Sequence, residues 1–298
     1  MMDSTPSLDS LRGEIDEIDS KIHDLLMRRT QVSRTIANAK PKGPTSFRLA
    51  REMQVLRRLV ARHAGPLPRA VLVRLWREIL ADSLSQQGPF AVAAYSAEPG
   101  SNLTGLARDH FGVLTPVLER GSAVQVINAV VEEECSIGLL PPAASDAPDA
   151  WWRYLARGGK QVPRIIGYLP FAPAAAPSGA GQTALVIGLV DAEPSGADHS
   201  FLVLEAGSEL SRSAARSLVE KADLPVHDTV LWDSPSEGYL LLVEVADFVG
   251  RDDPRLKRLL DTSGGRVQHC WLIGSYPLPF AEAELVDPRV AAKERERS

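Results

Sequence analysis

Residues 8–40 read LDSLRGEIDEIDSKIHDLLMRRTQVSRTIANAK. Their apolar residues recur at alternating steps of three and four, which places them along one face of an α-helix. Arg29 lies on this stripe where the pattern requires an apolar side chain, and the stripe resumes at Val32 and Ile36. Arginine keeps its charge, and an unpaired buried charge is strongly unfavourable. We therefore predict one long helix whose buried face needs an anionic partner for Arg29.

The predicted helix is too long for one compact domain. Pro6 near its start and Lys42-Gly43-Pro44 at its stop limit it to residues 6 to about 40. At about 1.5 Å per residue, it spans roughly 50 Å. Such a helix needs partners along its length, either further helices of this chain or a second copy. Two shorter helical patterns follow. One is at 51–63, and the other is at 68–87, with an apolar stripe of Leu72, Leu75, Trp76, Ile79 and Leu80.

Each of the three apolar stripes includes or leads to polar residues. These polar positions are Arg29, Lys40, Glu52, Ser83 and Gln87. Lys40, Ser83 and Gln87, taken singly, are also compatible with helix ends that reach solvent. Taken together, the set predicts a pocket with cations, neutral hydrogen-bond donors and one carboxylate, and without a nucleophile paired with a base. Such a pocket suits binding of a dianion and stabilisation of a charge redistribution within it.

This arrangement resembles the small all-helical chorismate mutases. Their pattern has an arginine early in the first helix, another in its middle and a lysine near its end. The second helix opens with Arg-Glu, and the third closes with Ser-x-x-x-Gln. The matching positions are Arg12, Arg29, Lys40, Arg51, Glu52, Ser83 and Gln87. One position departs from the pattern, since relatives often place an aspartate where this chain has Arg48.

The resemblance implies the Claisen rearrangement of chorismate to prephenate, in an intertwined homodimer and without a cofactor or metal. The catalytic residues would be Lys40, Gln87 and Glu52, and the substrate-binding residues Arg12, Arg29, Arg51 and Ser83. The arginines would clamp the two carboxylates of chorismate, with the serine on the ring carboxylate. The lysine and the glutamine would donate hydrogen bonds to the ether oxygen as negative charge grows there. The glutamate would accept a hydrogen bond from the ring hydroxyl.

The whole chain of 298 residues has a formal net charge of -5, which argues against nucleic acid as a partner. It lacks a run of about 18 apolar residues that would span a membrane. Residues 1–7 lack the apolar core of a signal peptide, so we expect a cytoplasmic protein. Cys135 and Cys270 are predicted to be separate core thiols, and the six histidines form no ligand motif along the sequence.

After residue 88 the pattern changes to apolar strands that alternate with helices, which indicates a parallel sheet. The predicted elements are strands at 90–95 and 136–140 and helices at 103–111 and 123–133. Their order and the Glu-Pro-Gly-Ser turn at 98–101 resemble the first lobe of prephenate dehydratase, a two-lobed, periplasmic-binding-protein-like α/β fold. We assign residues 89–192 to such a domain, after an all-α domain at 1–88.

The chemistry of the dehydratases is not kept in this middle segment. Where they carry Pro-Ile-Glu-Asn-Ser, residues 141–145 read Pro-Pro-Ala-Ala-Ser, without the acid and the amide. Their Thr-Arg-Phe signature corresponds at best to Thr183-Ala184-Leu185, without the arginine. About forty residues separate the two places, too few for a second lobe. We therefore expect a degenerate, inactive dehydratase-like domain.

The third unit, at 198–283, is predicted to have the βαββαβ order of a ferredoxin-like α+β fold, followed by a charged tail at 284–298. In this position it resembles the ACT regulatory domains of dehydratases. Their Gly-Ala-Leu turn, which receives the amino acid, is altered here to Ala-Gly-Ser-Glu-Leu at 206–210. Binding of an aromatic amino acid effector and simple dimerisation remain the two alternatives for this unit.

Three functions compete at this point. The first is a chorismate mutase whose later domains are structural or regulatory, in phenylalanine and tyrosine biosynthesis. The second is a bifunctional chorismate mutase/prephenate dehydratase. The third is a non-catalytic sensor of aromatic metabolites, which the complete set of seven matched residues disfavours.

Overall fold

The computed structural model describes residues 7–39, 47–86, 88–96, 103–143, 150–159, 161–173, 176, 181–234 and 238–286. Its N-terminal part is helical, as predicted. The helices are α1 (Leu8–Ala39), α2 (Leu49–Arg62) and α3 (Arg69–Ser85). Lys40 and Gln87 lie outside the described residues, as do the turn at 98–101 and residues 144–149.

Helix α1 has no buried residue, although its apolar stripe is continuous. Ile18 is 46% exposed and Leu25 is 65% exposed. With 32 residues the helix is about 48 Å long. Its C-terminal half contacts α3, where Arg29 binds Ser83 and Arg34 binds Gln86, the C-cap residue of that helix. The stripe predicted to be buried is therefore open along most of its length in a single chain.

Helices α2 and α3 pack on the β-sheet. Met53 of α2 and Val73 of α3 share one apolar core with sheet residues such as Leu139. The approach is close at Gly167, where an added Cβ would lie 2.2 Å from Leu49 Cδ1. A larger residue there would require the Leu49 side chain to move. The helical segment and the segment after residue 88 thus share a hydrophobic core, although the type of secondary structure changes at that point.

In the part of the chain that the structure describes, the sheet has nine strands in the order β2-β1-β3-β5-β4-β9-β6-β8-β7. They are β1 (Val92–Tyr95), β2 (Val117–Arg120), β3 (Ile137–Leu140), β4 (Arg164–Leu169), β5 (Ala184–Gly188), β6 (Asp198–Ala206), β7 (Val226–Ser234), β8 (Gly238–Val245) and β9 (Val267–Pro277). The pairs β1–β2 and β1–β3 are parallel, as predicted for the middle segment. The prediction omitted β2, β4 and β5, and β5 is antiparallel to both β3 and β4.

Helices connect the strands of the middle and C-terminal segments. They are α4 (Leu103–Phe111), α5 (Ala123–Val131), α6 (Arg212–Lys221) and α7 (Pro254–Thr262), and the short α8 (Glu282–Leu285) follows β9. A 3₁₀ turn at Trp151–Leu155 buries two tryptophans. Ser122, Ser211 and Asp253 cap α5, α6 and α7 with their side chains.

The C-terminal segment has the predicted βαββαβ order, in which β6, α6, β7, β8, α7 and β9 follow one another. Its strands lie in the order β9-β6-β8-β7, and each neighbouring pair is antiparallel. A parallel contact between β4 and β9 at Ile165 and Gly274 joins it to the middle segment. This order is that of a ferredoxin-like unit, whereas the relation to ACT domains stays a prediction.

Both cysteines are free thiols, Cys135 buried and Cys270 half-buried, in agreement with the sequence-based expectation. Within the described residues, no helix combines the length and the apolar character that a membrane-spanning segment needs.

Candidate active site

Arg29 and Ser83, two of the predicted site residues, are in direct contact. The Arg29 guanidinium reaches from α1 to α3, where Nη1 donates to Ser83 Oγ at 2.6 Å and to the Ile79 carbonyl at 3.1 Å. The Ser83 hydroxyl itself donates to the same carbonyl at 2.9 Å. Both side chains are half-buried. Arg29 thus lies at a helix–helix contact with neutral partners, and its role in substrate binding stays a prediction.

The charge of Arg29 is only weakly compensated. Partial burial lowers the pKa of this guanidinium, and the nearby charge of Asp82 opposes that shift. Its bonded partners in the described part of the chain are neutral oxygens, and no carboxylate there lies within ion-pair distance. Both bonds use Nη1, whereas a guanidinium has five N–H donors. Arg29 thus presents a positive charge and further donors that suit an anionic ligand.

Glu52 has a different partner from the predicted ring hydroxyl. Its Oε2 accepts a hydrogen bond from Arg77 Nη1 at 2.5 Å in a buried ion pair. Arg77 also donates from Nε to the His110 carbonyl at 3.0 Å, and its guanidinium lies 5.6 Å from the Phe171 ring centroid. The structure thus assigns this carboxylate a structural contact between α2, α3 and α4.

The Glu52–Arg77 pair and the Arg29–Ser83 contact occupy different faces of α3. Arg77 and Ser83 are six residues apart, which corresponds to about 9 Å along the helix axis and about 120° around it. Helices α1 and α2 therefore approach α3 from different directions. The role predicted for Glu52 in substrate binding stays a prediction.

Arg77 was missed although the sequence carries a signal for it. Val73, Arg77, Leu80 and Leu84 follow one another at steps of four, three and four, and all four are buried. This is the same pattern that drew attention to Arg29. The prediction instead used a stripe that includes Leu75, which is 50% exposed. The buried face of α3 is therefore rotated from the predicted one, and it carries its own arginine.

Arg12 and Arg51, the other two arginines predicted to bind substrate, are exposed. Arg12 Nη1 lies 3.3 Å from Asp9 Oδ1, and Arg51 Nη1 donates to Gln54 Oε1 at 3.3 Å. Arg12 precedes Arg29 by 17 residues, so the two lie about 26 Å apart along α1. Arg48, the position that departs from the family pattern, forms an ion pair of 2.8 Å with Glu193. One chain thus brings Arg29 and Ser83 together but not Arg12.

The buried ion pair makes a strong prediction for stability. In Glu52→Gln the Arg77 charge stays buried without its counter-charge, which typically costs about 3–5 kcal/mol. Urea unfolding of the full chain, followed by tryptophan fluorescence, measures the change. The control is Glu193→Gln, which removes the carboxylate of the exposed pair with Arg48 and should cost about 1 kcal/mol or less. Equal losses in the two variants would contradict the structural role of Glu52.

Comparison with known proteins bears on the helical segment first. Residues 11–88 match the family model of chorismate mutase type II. This range contains α2, α3 and nearly all of α1, and all seven matched positions lie within it. The family resemblance predicted for the N-terminal segment is thereby confirmed.

Individual curated proteins and one solved structure are similar to parts of this chain. The bifunctional chorismate mutase/prephenate dehydratase of Stutzerimonas stutzeri is 30% identical over 146 residues, 47% of this chain and 40% of that protein. The intracellular chorismate mutase of Mycolicibacterium smegmatis is 43% identical over 60 residues, 20% of this chain and 58% of that protein. A prephenate dehydratase structure from Streptococcus mutans aligns with a TM-score of 0.44 at 15% identity, over 64% of this chain and 100% of that chain.

The chain spans about two fifths of the length of the bifunctional relative from Stutzerimonas stutzeri. Because that alignment of 146 residues is longer than the helical segment, it extends into other parts of the chain. The likeness to the bifunctional proteins is therefore not confined to the mutase segment.

Proposed function

We propose that this chain is a chorismate mutase that converts chorismate to prephenate by a Claisen rearrangement. The observation that carries the proposal is the contact of Arg29 with Ser83, which presents a partly buried guanidinium and a hydroxyl at the interface of α1 and α3. Chorismate is a dianion, and a guanidinium with free donors can bind a carboxylate through two parallel hydrogen bonds, in bidentate geometry. The match of residues 11–88 to the mutase family supports the same site.

The proposed catalysis depends on positioning and on hydrogen bonds to developing charge. Arg12, Arg29 and Arg51 hold the two carboxylates so that the enolpyruvyl arm adopts the chair required for rearrangement. Lys40 and Gln87 donate to the ether oxygen, and these bonds strengthen as the C–O bond breaks. No covalent intermediate and no cofactor take part. Among the proposed site residues, Glu52 has the weakest support for a contact with the ring hydroxyl, because Arg77 already binds its carboxylate.

The test is turnover by the purified full-length chain. We expect chorismate to disappear with formation of an equal amount of prephenate, measured by absorbance and chromatography. The full chain is required because α2 and α3 share their core with the sheet. Saturable binding of chorismate without turnover would instead support the sensor hypothesis.

We propose that the enzyme is a homodimer in which two copies of α1 pack together. The apolar stripe of this helix is exposed along its length in one chain, from Leu8 at 72% to Ile36 at 51%. Contiguous exposed apolar surface of this kind marks an interaction site. A second copy covers the stripe. Its Arg12 also enters the pocket of the first copy, which the first copy's own Arg12 cannot reach.

We propose that the middle segment lacks dehydratase activity. Leu140 at the end of β3 pairs with Leu185 of β5, so Ala143 and Thr183 leave the sheet at the same edge. The residues at this edge, Pro141, Pro142, Ala143 and Ala184, offer neither an acid nor an arginine. Among these residues, no side chain can protonate a leaving hydroxyl beside Thr183.

The full-length protein should therefore form no phenylpyruvate from prephenate above the uncatalysed rate near neutral pH. The measurement is the phenylpyruvate absorbance in alkali after timed incubations, with heat-denatured protein as the blank. Thr183→Ala should leave the trace unchanged. Enzymatic formation of phenylpyruvate that disappears in Thr183→Ala would restore the bifunctional hypothesis.

For the C-terminal segment we propose an ACT-like role, supported by its ferredoxin-like strand order β9-β6-β8-β7. Aromatic amino acid binding and dimerisation remain its two alternatives. The cytoplasmic location is likewise a prediction from the sequence.

A further inference from the structure

The C-terminal sheet brings together two histidines and a glutamate that are far apart in sequence. They are His199 on β6, His227 on β7 and Glu244 on β8. One ligand atom from each lies within 4.8 Å of the others. The sequence shows no ligand motif among the histidines, because the sheet order β6-β8-β7 makes neighbours of residues that have no spacing pattern along the chain.

A β-bulge directs the His227 side chain towards His199 and Glu244. Val226 pairs with Val245 and Asp228 with Glu244, so His227 is the extra residue of β7 between two consecutive partners on β8. Such bulges redirect a side chain and are common beside functional sites. Here the two imidazole rings come within 4.7 Å of each other, measured between their centroids. A regular strand would alternate His227 and Asp228 to opposite faces.

The glutamate is held from a second direction. His199 Nδ1 lies 2.7 Å from Glu244 Oε1, and the Tyr276 hydroxyl donates to the same oxygen. The Tyr276 ring stacks on Tyr168, with centroids 5.4 Å apart. This outer contact orients the carboxylate, which is the arrangement found around ligands in metal sites.

A cavity of about 190 Å³ opens beside the cluster. Its wall includes Glu244 itself, together with Asp228, Tyr168 and Tyr276. His199 is buried and His227 is exposed, so the three side chains span from the interior to the surface. An ion held by them has access to solvent on one side and to this cavity on the other.

We propose that His199, His227 and Glu244 bind a divalent transition-metal ion of the Zn²⁺ type, with one position left for water or a small ligand from the cavity. Two imidazoles and one carboxylate are a common ligand set for such ions with an open position. Ligand atoms about 2.0–2.1 Å from a tetrahedral ion lie roughly 3.3 Å apart. Small side-chain rotations convert the observed separations to that geometry, and the ion replaces the hydrogen bond between His199 and Glu244.

The test is titration of the chelator-treated full-length protein with Zn²⁺ alone, by calorimetry and by metal analysis after gel filtration. We expect one ion per chain and a rise in the thermal midpoint with added Zn²⁺. His227→Ala should weaken the affinity by more than tenfold and remove the rise. This variant is informative because His227 is exposed, so its unliganded fold is expected to stay intact. Tyr276→Phe should weaken binding by about 10–100-fold, as removal of outer contacts does.

The sheet supplies a matched control. His269 Nδ1 lies 2.8 Å from Glu205 Oε2 on the neighbouring strands β9 and β6. Within the described residues this pair has no third ligand, so His269→Ala should leave Zn²⁺ binding unchanged. Absence of stoichiometric binding in the wild type would overturn the proposal, as would equal affinity in His227→Ala. Loss of binding in His269→Ala alone would assign the ion to the other pair and equally overturn it.

Discussion

We expect Arg29→Ala to lower kcat/KM for chorismate by about 10²- to 10³-fold. In the proposed site Arg29 carries a partly buried positive charge that binds a substrate carboxylate. Removal of one such charged, preorganised donor costs about 3–4 kcal/mol. Arg29→Lys keeps the charge but loses the planar fork, so its loss should fall between those of wild type and Arg29→Ala. Steady-state kinetics on the full-length chain measures both.

A general loss of stability would not explain this result. In Arg29→Ala the Ser83 hydroxyl keeps its hydrogen bond to the Ile79 carbonyl, so the substitution leaves neither oxygen without a partner. Arg34 is the matched control, because it also reaches from α1 to α3, where its Nε donates to Gln86 Oε1 at 2.9 Å. Arg34 is exposed and lies off the stripe, so Arg34→Ala should retain activity within about threefold. Equal losses in Arg34→Ala and Arg29→Ala would contradict the assigned role.

The extent of sequence-based prediction differs between the three segments for physical reasons. Helix α1 was predicted within two residues at its start and about one at its end, because a stripe of 32 residues has a strong period. In the C-terminal segment the six elements alternate with clear turns and caps, and their order was predicted correctly. In the middle segment β4 and β5 were missed. Both are buried on two faces, and short continuous apolar runs carry no period to distinguish strand from helix.

The functional residues were predictable only where a pattern is local. Arg29 interrupts its own stripe, so the helix period alone reveals it. Arg77 interrupts a stripe just as clearly, but the choice between two overlapping stripes on α3 depends on what packs against each face. The contacts of α2 and the sheet determine that choice, and no local pattern reports them. The histidine cluster depends on strand order and on a bulge, which are likewise properties of the assembled sheet.

A dimer with shared active sites makes the second large prediction. Arg12 and Arg29 lie about 26 Å apart on one straight helix, so they serve one substrate only if they come from different copies. We expect Arg12→Ala and Arg29→Ala homodimers to be nearly inactive. A heterodimer of the two variants, isolated by two different affinity tags after co-expression, has one pocket with both substitutions and one with neither. Its activity should therefore be about half that of wild type.

The same design contains its own negative control. In the shared-site arrangement Arg29 and Lys40 of one copy serve the same pocket, since only 11 residues separate them in the sequence. A heterodimer of Arg29→Ala and Lys40→Ala then has one substitution in each pocket and should stay as inactive as its parents. Recovery in the first heterodimer but not in the second can arise only if Arg12 acts across the dimer. If both heterodimers are inactive and gel filtration shows that the first is intact, the shared-site model is contradicted. The exposed stripe of α1 then does not bring Arg12 into the pocket of the partner copy.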